Sequence, residues 1–146
     1  MTNKKTIYIG SDHAGYELKS FIIDKLQENE FTVRDFGTHS EESVDYPNIA
    51  HSLSGTLYNN IGILICGSGN GMTMAANKWN RSRAALCWNE EVSRLARSHN
   101  DANILCLPAR FISSIEAWKI VKTFLETPFE GGRHEQRVNL IPIFND

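Results

Sequence analysis

The chain has 146 residues, 41% of them hydrophobic and 22% charged, with a formal charge of −2: enough sequence for one core and too little for two ordinary domains. That balance offers no general attraction for nucleic acid or an anionic membrane surface, so any anion must be held by a local site. No apolar run approaches the roughly 18 residues of a membrane span and Met1–Lys5 leads into no signal-peptide pattern, so the cytosol is the expected location. Cys66, Cys87 and Cys106 are an odd set without CxxC or Cys/His spacing. They read as reduced thiols, not as zinc ligands.

Short β-type runs alternate with helical patterns along the whole chain. Thr6–Gly10 predicts a strand that gives way to the polar loop Ser11–Gly15, and Leu18, Phe21, Ile22 and Leu26 then recur at helical spacing. Phe31–Asp35 reads as a second strand, stopped by Gly37. The segment Tyr46–Tyr58 reads as a helix, with Pro47 suited to a first turn and Ile49, Leu53 and Leu57 along one face. Ile61–Cys66 is a third strand, followed by the loop Gly67–Gly71 and a short helix through Met72, Met74 and Ala76. Arg83–Trp88 is a fourth strand. Asn89 is a candidate N-cap for a helix to about Ser98, with Glu90 and Glu91 in its first turn. Asn103–Leu107 is a fifth strand stopped by Pro108. Ser113–Glu116 matches a capping box, and Ile115, Trp118, Val121, Phe124 and Leu125 carry the apolar stripe of a last helix. Beyond it Glu130–His134 opens a polar tail. This alternation predicts one α/β domain over residues 1–146, a five-stranded parallel sheet with helices on both faces.

In open parallel sheets ligands bind beyond the carboxyl ends of the strands. The residues there are polar: Asp12 and His13 after the first strand, Cys66 with its glycine loop after the third, and Arg110 after the fifth. His99 and Asn100 precede the fifth strand, which puts them at the opposite edge within one chain. The loop Gly67-Ser68-Gly69-Asn70-Gly71 frees backbone N–H groups to turn toward a phosphate or an oxyanion at a helix start. Met72 stands where a dinucleotide fingerprint needs glycine, and no Walker A pattern is present, so nucleotide binding loses its support. Cys66, at a strand end before a helix, could serve as base or nucleophile; the competing reading is a small buried hydrophobe, which also fits Cys87 and Cys106. Arg133 and Arg137, four apart with His134 beside them, could fork onto a phosphate or form a solvated tail. Arg94 and Arg97 read as surface helix charges, His39 and His51 as loop or interface residues. Spacing suggests no metal set.

Six segments together, Gly10–Gly15, Asp45–Pro47, Cys66–Gly71, Ala75–Lys78, Ser98–Asp101 and Glu130–His134, resemble ribose-5-phosphate isomerase type B across nearly the whole chain. The resemblance implies a Rossmann-like three-layer α/β/α sandwich and a homodimer, sometimes paired into tetramers. It also implies active sites at the subunit interface, where the segment of about 128–146 would pack, and neither metal nor organic cofactor. It implies Cys66 as the base that moves a proton between C1 and C2, and His99 as the group that assists ring opening. Asp12, Asn100 and the loop residues Gly67, Ser68, Gly69, Asn70 and Gly71 would contact sugar oxygens. His13, Arg110, Arg133 and Arg137 would hold the phosphate. One branch of the family carries a glutamate base where Met72 stands here, which leaves Cys66 as the base candidate in this loop.

The expected reaction is therefore interconversion of D-ribose 5-phosphate and D-ribulose 5-phosphate in the non-oxidative pentose phosphate pathway, with allose 6-phosphate or galactose 6-phosphate as alternative substrates. A thiol hydrolase using Cys66 with His99 and a non-catalytic sugar-phosphate sensor are the rival classes.

Overall fold

A computed structural model describes residues 5–143 of the chain; residues 1–4 and the last three residues of the 128–146 segment lie outside them. Five parallel strands form one sheet: β1 (Ile7–Ser11), β2 (Val33–Asp35), β3 (Ile61–Cys66), β4 (Ala84–Leu86) and β5 (Ile104–Pro108). The helices are α1 (Tyr16–Glu28), α2 (Tyr46–Thr56), α3 (Asn70–Ala76), α4 (Glu90–Ser98), α5 (Ser114–Glu126) and α6 (Arg133–Asn139), with a 3-10 turn over His13–Gly15. The α/β reading holds, and the strand edges differ by a few residues: β1 runs one residue further, to Ser11, while β2 and β4 are shortened to three residues each.

Alternation along the central strands builds a core on each face of the sheet. Ile63 and Ile65 of β3 join Leu105 and Leu107 of β5 against α1 and α5, around Ile22, Leu26, Ile120 and Phe124. The intervening Leu64, Cys66, Ile104 and Cys106 turn to the other face, where Leu53 of α2 and Met72 and Ala76 of α3 cover them. Strands buried on both faces read as continuous apolar runs, which is why β3 and β5 stand out in the sequence.

Local signals set several helix ends. Asn89 Oδ1 accepts from Val92 N at 2.8 Å, and Ser113 with Glu116 closes the capping box. Two expectations need correction. The segment after Glu130 is not a plain polar tail, because Arg133–Asn139 winds into α6 and buries Val138. Arg97 is not a free surface charge: its guanidinium donates to Asp101 Oδ1 at 2.9 Å and to the Ala102 carbonyl at 2.6 Å, and its side chain is only 15% exposed. Arg94 pairs with Glu91 on the exposed face of α4.

The sheet order is β2-β1-β3-β5-β4. From β1 the chain departs toward the β2 edge, and from β3 it departs toward the β4 edge. The carboxyl ends of β1 and β3 thus flank a switch point, where the two departing connections leave a crevice between them.

One buried ion pair braces the β1 side of that crevice. Lys19 of α1 is 1% exposed, and its Nζ donates to Asp35 Oδ1 at 2.7 Å and to the Thr38 carbonyl at 2.6 Å. Thr38 N in turn donates to the Ser11 carbonyl, and Ser11 N to the Gly37 carbonyl, both at 2.7 Å. The loop after β2 is thereby laced to the residue that precedes Asp12. The two partners are not equivalent, because Asp35 is 33% exposed and can regain water while Lys19 cannot. Asp35→Ala should therefore destabilise the chain by about 3 kcal/mol by stranding a buried ammonium, and Lys19→Met by about 1–2 kcal/mol. Urea unfolding of the two single variants and the double variant checks this order, with Lys19→Met expected to relieve much of the Asp35→Ala damage.

Candidate active site

The crevice at the switch point is an open cavity of about 470 Å³, lined by Asp12, Tyr46, Cys66, Gly67, Ser68, Gly71, Arg110 and Phe111. Most of its residues lie at or just past three strand ends, with Tyr46 from the start of α2 and Gly71 from α3. Ser11 pairs with Ile65 in the β1–β3 register, so Asp12 and Cys66 leave adjacent strands side by side. Asp12 N donates to the Ile65 carbonyl at 3.1 Å, and one carboxylate oxygen of Asp12 accepts from Gly15 N at 3.2 Å. That bond makes Asp12 the N-cap of the 3-10 turn and fixes its carboxylate.

Across β3, the register pairs Cys66 with Pro108 of β5. The two chains stay bonded past the sheet edge: Ala109 N donates to the Cys66 carbonyl at 2.9 Å and Arg110 N to the Gly67 carbonyl at 3.0 Å. The Arg110 guanidinium lies over Gly67, within 3.0 Å of where a Cβ there would sit. A side chain at position 67 would displace the cation.

Two further glycines are required by shape. Gly69 caps α3 at φ +80°, the left-handed region, and a Cβ there would meet Leu86 at 2.3 Å. At Gly71 a Cβ would lie 2.5 Å from the Tyr46 ring, so glycine admits the tyrosine against the loop. Asn70 N donates to Ser68 Oγ at 3.3 Å, which closes the turn on itself. The early amides of α3, which lack carbonyl partners within the helix, belong to this same turn.

Of the three thiols, Cys66 alone lines the cavity. Burial pushes Cys87 and Cys106 up to about 12, so both are neutral core thiols. Met72 is fully buried in the core below the loop and does not face the cavity.

The other expected residues lie elsewhere. His13, in the 3-10 turn, accepts from Val44 N through Nδ1 at 3.3 Å, which leaves its Nε2 for other partners. Asn70 and Gly69 stand in the loop without lining the cavity. His99 caps the carboxyl end of α4, and Asn100 follows it; both precede β5, whose length separates them from its Cys66 end by about 13 Å. The His99 ring stacks on His134 of α6, with centroids 4.1 Å apart and planes at 14°. Arg133 and Arg137 lie on the same short helix. Burial, and then the neighbouring His99, hold the His134 imidazole below its usual pKa, which favours the neutral ring.

The expected residues thus fall into two groups, one around Cys66 and one around His99 and α6. Sequence reasoning did not pick out Tyr46 or Phe111 as site residues. Tyr46 carried a usable signal, because it sits at the first turn of α2 within Asp45–Pro47, but only the packing against Gly71 brings its ring to the loop. Spacing also gave no hint that His99, Glu130 and His134 bring three possible metal-ligand atoms within 4.8 Å of one another.

The profile of the Ribose/Galactose Isomerase family matches residues 7–141. The chain belongs to this family. It is 41% identical over 140 residues to ribose-5-phosphate isomerase B of Escherichia coli K12, covering 94% of both chains. Among solved structures, it resembles a ribose 5-phosphate isomerase from Thermotoga maritima at 48% identity and a TM-score of 0.94, covering 97% of this chain and 100% of that one. It also resembles ribose-5-phosphate isomerase B from Mycoplasma genitalium with bound ribulose-5-phosphate, at 42% identity and a TM-score of 0.88, covering 93% of each chain. The family's fold is the sandwich described above. Among the described residues, no helix is long and apolar enough to cross a membrane.

All three thiols are buried, but only Cys66 lines the cavity, and this has a direct chemical consequence. Iodoacetamide at neutral pH should modify one thiol per folded chain, at Cys66, because Cys87 and Cys106 are inaccessible and neutral. Peptide mass spectrometry checks this; equal labelling of all three before unfolding would contradict the assignment of Cys66 as the cavity thiol.

Proposed function

We propose that the chain interconverts D-ribose 5-phosphate and D-ribulose 5-phosphate by proton transfer through an enediolate, as a cytoplasmic enzyme of the non-oxidative pentose phosphate pathway. The observation that carries this reading is the placement of Cys66 in an open cavity, beside Asp12 and a glycine turn, with Arg110 reaching across the turn.

Isomerisation of an aldose requires removal of a proton next to the carbonyl and its return to the neighbouring carbon. The Cys66 thiolate serves as the base that takes the proton from C2 and delivers it to C1. The hydroxyl proton of O2 passes to O1 as the enediolate forms and collapses, and amide donors of the Gly67–Gly71 turn lower the barrier by stabilising the charge on these two oxygens, because they are fixed before the reaction starts. Asp12 and Asn100 hold sugar hydroxyls. Arg110, Arg133, Arg137 and His13 bind the phosphate, and that remote binding orients C1 and C2 at the thiolate. His99 assists opening of the furanose ring before the proton transfer.

Since His99, Asn100 and the arginines of α6 stand apart from the Cys66 cavity in one chain, the active assembly is a homodimer, or a tetramer built from such dimers. Each site then combines Cys66 of one protomer with His99 of the other. A thiol hydrolase would use the same Cys66 with the partner's His99 but would pass through a covalent acyl-enzyme, which mass spectrometry of the turning-over protein should not find.

Cys66→Ala should abolish turnover while leaving sugar-phosphate binding intact, and turnover of ribose 5-phosphate in deuterated water should place deuterium on the sugar. Brisk turnover of allose or galactose 6-phosphate with none of ribose 5-phosphate would overturn the substrate. The shared site is tested by mixing. Neither the Cys66→Ala nor the His99→Ala chain should be active on cyclic substrate. Chains refolded together should recover about a quarter of wild-type activity, because half of the random dimers carry one intact site. If both residues served one chain's own site, mixing would restore nothing.

A further inference from the structure

We propose that His99, Glu130 and His134 form a binding site for a divalent transition-metal ion of the zinc class, and that an ion held there inhibits the enzyme by occupying His99.

The donors converge on one point. His99 Nε2 lies 4.0 Å and His134 Nε2 3.7 Å from the same Glu130 Oε1. A tetrahedral ion with bonds near 2.0–2.1 Å needs donors roughly 3.4 Å apart, so the two imidazole–carboxylate pairs must close by a few tenths of an ångström, while the two imidazole nitrogens lie within 4.8 Å of each other. The backbone holds them for this: Glu130 N donates to the Ser98 carbonyl at 3.0 Å, next to His99, and His134 N donates to the Gly131 carbonyl at 3.0 Å. The two imidazoles are stacked with their planes at 14°, so their lone pairs run side by side, and one ring must turn out of the stack before both can meet one ion. The side chains of His99 and Glu130 are 36% and 54% exposed, which leaves a face of the cluster open to a water ligand.

Two imidazoles and one carboxylate suit zinc, cobalt or nickel better than magnesium or calcium, whose sites are built from oxygen. Glu130 has no part in the proposed isomerase chemistry. A carboxylate three residues from Arg133 opposes phosphate binding, whereas it completes a cation site. Arg133 and Arg137 act in the other direction by repelling a metal ion, so the expected affinity is micromolar, far short of a structural zinc site. The inhibitory half of the proposal rests on the ring-opening role given to His99; the binding half does not.

Zinc chloride titrated into the full chain by calorimetry tests binding, with Glu130→Gln and Cys66→Ser chains in parallel. A single ion per chain should bind wild type and Cys66→Ser alike, and Glu130→Gln at least tenfold more weakly. Equal affinity in Glu130→Gln would overturn the site, and loss of binding in Cys66→Ser would move the metal to the thiol and overturn it too. As a readout independent of any substitution, cobalt ion added to the wild-type chain should shift the imidazole resonances of His99 and His134 most and those of His39 and His51 least. The reverse order would count against the site. Zinc should also inhibit ribose 5-phosphate turnover reversibly on addition of a chelator, with Glu130→Gln needing at least tenfold more metal. Tight binding without inhibition would keep the site and overturn the role of His99.

Discussion

Parallel pairing of β1 with β3, with the chain leaving their carboxyl ends in opposite directions, is the constraint from which the candidate site follows. Neighbouring strands lie about 4.8 Å apart, so the residues that leave them together, Asp12 and Cys66, are near each other whatever their side chains. The departing connections cannot cover the gap between them. Insertion of β5 between β3 and β4 adds the third component. Had the strands been laid down in chain order, Arg110 would stand one strand further out and could not bond the Gly67 carbonyl. The cation over the glycine turn is therefore a product of sheet order as much as of the loop.

The same constraint explains why glycine recurs where it does. Three groups pack against the turn that follows Cys66: the Arg110 guanidinium, the Tyr46 ring and the side chain of Leu86, each against a different glycine. A loop with side chains at positions 67, 69 and 71 would have to push all three away. The surroundings hold the turn in one conformation, and the amides that the proposed chemistry relies on need no rearrangement during reaction.

Much of this was legible in the sequence, for identifiable reasons. The buried strands β3 and β5 appear as apolar runs because both of their faces are covered, and Asn89 and Ser113 announce their helices through side-chain bonds that are local in sequence. Taking the residues just past each strand end located Asp12, Cys66, Gly67, Ser68 and Arg110 at the cavity. What escaped depends on contacts between distant segments. Sheet order leaves no mark on local periodicity, so the ends of β1, β3 and β5 could be grouped as one site, but not which of those strands are neighbours. Tyr46 and Phe111 reach the cavity through packing, α6 is too short and polar to show a helical stripe, and Arg97 looks like any exposed helix charge until Asp101 and the Ala102 carbonyl are found around it.

Separation of the expected residues into two groups is itself an argument about assembly. Among the described residues, the Cys66 cavity has a base candidate and a cation but no imidazole in its lining, while the α4–α6 corner has two stacked imidazoles and two arginines but no thiol. Each group also carries large apolar side chains that the chain leaves exposed, Phe111 at the cavity and Leu140 and Ile141 just beyond α6. Large apolar side chains left exposed beside functional groups are what an interface would cover. A two-fold contact that brings the cavity of one copy against the corner of another would cover both sets at once, and because such a contact is self-complementary, forming it once completes two sites. Neither group needs to be catalytically competent alone, which is the condition under which selection could divide the machinery between the two ends of one strand.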